Sequence, residues 1–118
     1  MSFTEFGLSP DVLRAIEDAG FTLATPIQQQ AIPYALMGRD VLGCAQTGTG
    51  KTACYGIPIL ETLSSGRARV RMPRSLVLAP TRELATQVAE HFEVLGKYRK
   101  LSVALLIGGV SADEQIRI

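Results

Sequence analysis

The residues best suited to chemistry stand in one short run, Ala45-Gln46-Thr47-Gly48-Thr49-Gly50-Lys51-Thr52. Gly48 and Gly50 let the backbone turn sharply and present successive N–H groups to an anionic oxygen. Lys51 adds a point charge suited to β- and γ-phosphates, and the Thr52 hydroxyl suits a Mg²⁺ ligand. Gln46, Thr47 and Thr49 complete the loop, and we count them with the nucleotide-binding residues. The run lies between an apolar stretch, Val41 to Ala45, and a helical pattern from about Lys51 to Leu63. Strand, glycine turn, Lys-Thr and helix together read as a P-loop over 45–52; the alternative is a glycine turn that happens to precede a lysine. A helix beginning near Lys51 also aims its positive end at the bound phosphate. One position departs from the usual pattern, which has Gly where Ala45 stands.

The elements that must position this loop are legible in outline. Ser9-Pro10-Asp11 reads as a helix start, with Ser9 capping, Pro10 in the first turn and Asp11 at the positive end of the dipole. Val12, Ile16 and Ala19 then share a face, and Gly20 ends the helix. Thr25-Pro26-Ile27-Gln28 is a capping box that opens a second helix. Pro33 should break or bend it, and Gly38 closes it. Val41 to Ala45 reads as a buried strand, and the helix from Lys51 to Leu63 should bend at Pro58. Ser64 to Arg74 is a polar loop. Ser75 to Ala79 is a second buried strand, ending at Pro80-Thr81. A long amphipathic helix follows, with Leu84, Val88, Phe92 and Leu95 at helical spacing. Ser102 to Ile107 reads as a third strand and Gly108-Gly109 as a turn. Ser111-Ala112-Asp113-Glu114 is a further capping box, so the chain ends inside a helix. Continuously apolar strands alternating with helices predict an α/β domain with a parallel sheet covered on both faces.

Bulk properties bound the class of protein. The 118 residues suffice for one ordinary domain, and 47% hydrophobic against 19% charged residues supports a packed core. The formal charge of +1 neither demands nor excludes a nucleic-acid partner. Arg67, Arg69, Arg71 and Arg74 crowd one acid-free stretch, read either as a solvated loop or as an electropositive patch. Cys44 and Cys54 are too few for a disulfide framework, which predicts a reduced, cytoplasmic protein. The N-terminus has no basic segment followed by an apolar run, and nothing approaches the ~18 apolar residues of a membrane helix. The expectation is a soluble chain with no membrane contact.

With Ala in the first position, the 45–52 run resembles motif I of the DEAD-box RNA helicases. Three further segments carry the resemblance, in family order. Gly20-Phe21-Thr22-Leu23-Ala24-Thr25-Pro26-Ile27-Gln28 is similar to the Q motif, counted here within 1–28, with Ala24 where the family usually has Pro. Phe3 fits the isolated aromatic that the family places upstream. Pro80-Thr81-Arg82-Glu83-Leu84 resembles motif Ia (80–84), and Gly108-Gly109 the family's glycine pair.

The resemblance implies roles. Phe21 would stack on adenine, and the Gln28 amide, with Thr25, would read the adenine edge: a primary amide matches the donor N6 and acceptor N7. Packing alone for Phe21, and capping alone for Gln28, stay open beside this. Pro80, Thr81 and Arg82, at the start of a capped helix, would contact the RNA backbone. Gly108 and Gly109 would let that backbone approach closely, although a Gly pair also serves as a plain turn. ATP and Mg²⁺ are the implied cofactors and RNA the implied partner. The fold implied is RecA-like, with residues 1–118 as the N-terminal portion of an ATP-binding domain, incomplete at its C-terminal side and without a second domain.

The family's acid run, Asp-Glu-Ala-Asp, does not occur in the 118 residues, nor does its Ser-Ala-Thr motif. Asp113 and Glu114 belong to a helix cap and are not counted as catalysts. Two readings follow: the nucleotide-anchoring front of an ATP-dependent RNA helicase, inactive as an ATPase by itself, or a non-catalytic nucleotide-binding or assembly module. The uncapped end at Ile116-Arg117-Ile118 favours a truncated helicase. In the family's sheet order two later strands separate the P-loop strand from the motif Ia strand. The 41–45 and 75–79 segments should therefore flank a gap, and the expectation is rearranged pairing, self-association by strand exchange, or an excerpt of a larger domain.

Overall fold

Ser9 takes the N-cap position of α1 (Pro10–Asp18), with Pro10 in the first turn. The structure is a computed structural model and describes residues 1–46, 48, 50–63, 74–99 and 101–108. Ser9 does not make the side-chain cap bond its type predicts. Its hydroxyl instead donates to Glu61 Oε2 at 3.0 Å, and its N–H faces both Glu61 oxygens at 3.1 and 3.2 Å. A carboxylate from elsewhere in the chain thus serves the positive helix end. Val12, Ala15 and Ile16 are buried, whereas Ala19, expected on that face, is the half-buried C-cap. Before α1, a 3-10 turn at Phe3–Phe6 buries Phe3.

The capping box of α2 (Pro26–Leu36) forms as its sequence predicts: the Thr25 hydroxyl accepts from the Gln28 N–H, and Gln28 Oε1 accepts from the Thr25 N–H at 2.9 Å. Pro33 does not break this helix, which continues to Leu36 and closes at Gly38 with φ +77°. Likewise α3 (Lys51–Leu63) runs on across Pro58. Thr81 caps α4 (Arg82–Leu95) through the Leu84 N–H at 3.1 Å. Val88 and Leu95 of its apolar stripe are buried and Phe92 half-buried, while Leu84, in the first turn, stays exposed.

The core is helical. α3 packs against α2 and α4, and α1 closes the group. Ile16, Ile32, Ile57, Leu60 and Leu95 are essentially solvent-free at its centre. Gly96 permits the tight α3–α4 corner, since a Cβ there would lie 2.9 Å from the Phe92 carbonyl oxygen and 3.1 Å from Leu60 Cδ2.

The predicted strands behave differently. Among the described residues the 41–45, 75–79 and 102–107 segments form no ladder, and the bridge that does occur is antiparallel, Ser2 with Leu23. Their apolar side chains lie open: Leu42 is 95% exposed, Leu76 76%, Leu78 85% and Leu106 65%. The expectation of buried strands in a parallel sheet is therefore not met here, nor is a rearranged substitute sheet. The physical reason is lateral: a strand satisfies its N–H and C=O groups only in a ladder with a neighbour, and among the described residues no ladder joins these segments. The Arg67–Arg71 stretch, Gly109 and the helix expected from Ser111 lie outside the described residues. Among the described residues no helix is long and apolar enough to cross a membrane.

Candidate nucleotide site

Two sequence motifs meet at one backbone carbonyl. Gln28, 2% exposed, donates through Nε2 to the Gly50 carbonyl oxygen at 3.2 Å while its Oε1 holds the Thr25 N–H. One side chain thus ties the start of α2 to the last turn before Lys51, across 22 residues of sequence. Gly50 has φ +84°, and a Cβ there would lie 2.3 Å from Gln28 Nε2. The position accepts no side chain, for backbone and packing reasons at once. Gly48 also has positive φ, +85°, but open space around it. Behind the loop the Cys54 thiol points at the same Gly50 carbonyl, 3.5 Å away, and burial pushes that thiol up from its ordinary value.

Lys51 and Thr52 form the first turn of α3, Lys51 exposed and Thr52 half-buried. The ammonium, the Thr52 hydroxyl and the helix N-terminus therefore share one end of α3, near the open backbone of Gly48. That donor set fits a Mg²⁺-bound phosphate chain. Gln46 and Gly48 are exposed on the same loop, whereas Thr47 and Thr49 lie outside the described residues. Phe21 follows Gly20 (φ +84°) and remains 36% exposed. Its ring centroid stands 6.3 Å from that of buried Phe3, so one aromatic anchors the other and leaves it an open face. The Ala24 N–H donates to the Met1 carbonyl at 2.9 Å and Gln29 Nε2 to the Ala24 carbonyl at 2.9 Å, which brace the Thr25 segment.

The residues assigned to RNA also converge in part. Pro80, Thr81 and Arg82 are exposed at the start of α4, and a Cβ built on Gly108 would be 3.8 Å from Arg82 Nη2. Gly109 is not among the described residues. Two clefts lie elsewhere. One of about 320 Å³ is bordered by Arg39, Tyr55, Ile59 and Arg74; another of about 290 Å³ runs between Tyr55, Ile59 and the 76–78 segment. Reading residues in sequence missed the Gln28–Gly50 and Ser9–Glu61 contacts. Both are long-range, and no local pattern in the sequence marks either.

Residues 25–118 match the family model described as DEAD/DEAH box helicase. The chain belongs to that family. Among curated DEAD-box relatives, it is 45% identical over 116 residues to the ATP-dependent RNA helicase CshA of Bacillus cereus, covering 98% of this chain and 22% of that protein. It is 50% identical to the ATP-dependent rRNA helicase RRP3 of Lodderomyces elongisporus, with 98% and 22% covered. The chain thus spans about a fifth of the length of these relatives. Among solved structures it superposes on the RNA helicase Prp28 of Chaetomium thermophilum, bound to ADP, with a TM-score of 0.90 at 37% identity, covering 98% of this chain and 28% of that one. A DEAD-box protein from Methanococcus jannaschii gives 0.84 at 37% identity, with 99% and 31% covered. These neighbours are RecA-like DEAD-box helicase domains. The DEAD-box chain thus follows the path of part of much longer proteins, although among the described residues its predicted strands form no ladder.

Proposed function

We propose that this chain is the ATP-anchoring front of an ATP-dependent RNA helicase, a protein that couples ATP hydrolysis to unwinding of RNA duplexes. The observation that carries this reading is the Gln28–Gly50 hydrogen bond, which joins the Q-motif amide to the P-loop as one site. Lys51, with the loop 46–50, would hold the phosphates, and Phe21, Thr25 and Gln28 the adenine. Mg²⁺, with Thr52 as its protein ligand, would neutralise phosphate charge when bound. Pro80, Thr81, Arg82, Gly108 and Gly109 would meet the RNA backbone, where charge and helix N-termini serve phosphate without reading bases. The 41–45, 75–79 and 102–107 segments would be strands of a parallel RecA-like sheet whose intervening strands come from other sequence. A cytoplasmic protein with two reduced cysteines fits this reading. The open apolar segments also favour self-association of the 118-residue chain, measurable as a mass above that of one copy in light scattering after gel filtration.

The adenine reading is tested by competition. Gln28→Ala removes the amide that distinguishes the N6 amino group of adenine from O6 of guanine. In folded protein the preference for ATP over GTP should fall. An unchanged ratio would leave Gln28 with its capping and loop-bracing roles alone.

A further inference from the structure

Two helix ends each place an arginine beside the same cleft. α2 closes in a Schellman turn: Gly38, at φ +77°, donates its N–H to the Ala35 carbonyl at 3.0 Å, and the Arg39 N–H donates to the Tyr34 carbonyl at 3.1 Å. The Arg39 backbone is fixed by this turn and its side chain is exposed. At the end of α3, Arg74 Nη1 donates to the Leu63 carbonyl at 3.0 Å. Both cations stand at the negative ends of helices, which favour their charge without a carboxylate. These two ends border the cleft of about 320 Å³. Its floor is one stripe of α3: Tyr55, Pro58, Ile59 and Leu63 recur at helical spacing, on the opposite side of the helix from the core residues Ala53, Ile57 and Leu60. Pro58 is buried, Ile59 and Leu63 are half-buried, and Tyr55 is more open. Among the described residues no Asp or Glu borders the cleft, and the one acid of α3, Glu61, turns instead to Ser9.

We propose that this cleft docks a short acidic segment of a partner protein, with a bulky apolar side chain against Ile59 and Leu63 and carboxylates on Arg39 and Arg74. The chemistry of the lining selects that occupant. An apolar floor under two exposed guanidiniums suits a ligand that is apolar at its centre and anionic at its edges. The volume, small for a ligand pocket, takes a few side chains of an extended segment and not a folded surface. Guanidinium forks match carboxylates bidentately, and among the described residues Arg39 makes no ion pair of its own. An RNA strand fits less well. It is anionic along its whole length, and its bases stack on flat aromatic faces, whereas Tyr55 is the one ring among the described lining residues. The Arg39 backbone and the Arg74 guanidinium are already held, so docking orders less than it would on two loose side chains. The cleft lies toward the C-terminal end of α3, away from Lys51, and the proposal does not depend on nucleotide or RNA binding.

The test is fluorescence anisotropy of short fluorescein-labelled peptides in which Asp and Glu flank a central Leu, Ile, Phe or Trp, titrated with the 118-residue chain. At least one should bind saturably, and more weakly as salt is raised, because exposed carboxylate–guanidinium attraction is screened. Peptides with Lys in place of the acids, or Gly in place of the apolar residue, should not bind. Arg39→Ala and Arg74→Ala should each lower affinity about ten-fold or more, the loss of one charge-assisted contact. Arg39→Lys keeps the charge without the fork and should lower it less. Arg14→Ala, which removes a cation from α1 and not from the cleft, should leave peptide affinity unchanged. All variants are compared after their helical circular dichroism is shown to match. If Arg74→Ala fails to fold, Arg39→Ala and Arg39→Lys carry the same test. No saturable binding by any of the acidic peptides overturns the proposal, and so does equal affinity in the natural sequence and Arg39→Ala. A labelled oligouridylate that binds with the same Arg39 dependence, in place of the peptides, would give the cleft to RNA and overturn it. A self-associated species in light scattering that Arg39→Ala disperses, without peptide binding, would give it to a second copy and overturn it likewise.

Discussion

Adding one methyl group at Gly50 should damage this protein more than adding one at Gly48, although both glycines have nearly the same backbone. Their φ values are +84° and +85°, so either alanine incurs the left-handed strain, about 1–2 kcal/mol. At Gly48 nothing lies within 4 Å of the new Cβ, and the strain is the whole effect. At Gly50 the new Cβ would meet Gln28 Nε2 at 2.3 Å and Cδ at 3.2 Å. A glutamine end is flexible in general, but this one is 2% exposed and fixed by bonds to the Thr25 N–H and the Gly50 carbonyl. Moving it forfeits both, each worth about 0.5–1.5 kcal/mol net. Gly50→Ala should therefore cost about 2–5 kcal/mol and Gly48→Ala about 1–2. Urea unfolding followed by the helical circular dichroism band measures both. The double variant Gln28→Ala/Gly50→Ala should be more stable than the sum of the singles by about 1 kcal/mol or more, since the collision is gone. Equal losses for the two glycine variants, or strict additivity in the double, would refute the reasoning.

Two further outcomes are expected. The 118-residue chain should release no phosphate from ATP above background in a coupled assay, with or without RNA, because a P-loop without acids to order the water only binds; RNA-stimulated release from pure protein would contradict this. A disulfide-exchange reagent near neutral pH should modify exposed Cys44 well before half-buried Cys54, whose thiol burial holds it above its ordinary value and so poor in thiolate; faster reaction at Cys54, read by peptide mass, would show that the packing behind Gly50 is open.

What the sequence made legible was what it decides locally. Thr25 and Gln28 sit three residues apart, and their capping box needs nothing from the rest of the chain. The Gly48, Gly50 and Lys51-Thr52 pattern likewise carries its own turn and helix start. Thr81 caps α4 for the same reason. Contacts from far along the chain escaped this reading. Ser9 has the right type for a cap, yet Glu61, 52 residues on, takes its hydroxyl. Pro33 reads as a break or bend of its helix and Pro58 as a bend of its own, but both helices run on, packed against each other, at the loss of one backbone bond each. The apolar runs at 75–79 and 102–107 were recognisable as strand-forming, while their pairing depends on neighbours that no local pattern specifies.

Lys51→Ala tests the central claim most directly. The ammonium is exposed at the mouth of the loop, so its removal should leave the fold intact while taking away the charge that meets the β- and γ-phosphates. Titrating a fluorescent ATP analogue with Mg²⁺ into both proteins should show affinity falling by about 10- to 150-fold, the equivalent of a charge-assisted contact of about 1.5–3 kcal/mol. Equal affinity in two equally folded proteins would mean that the 45–52 loop does not hold phosphate.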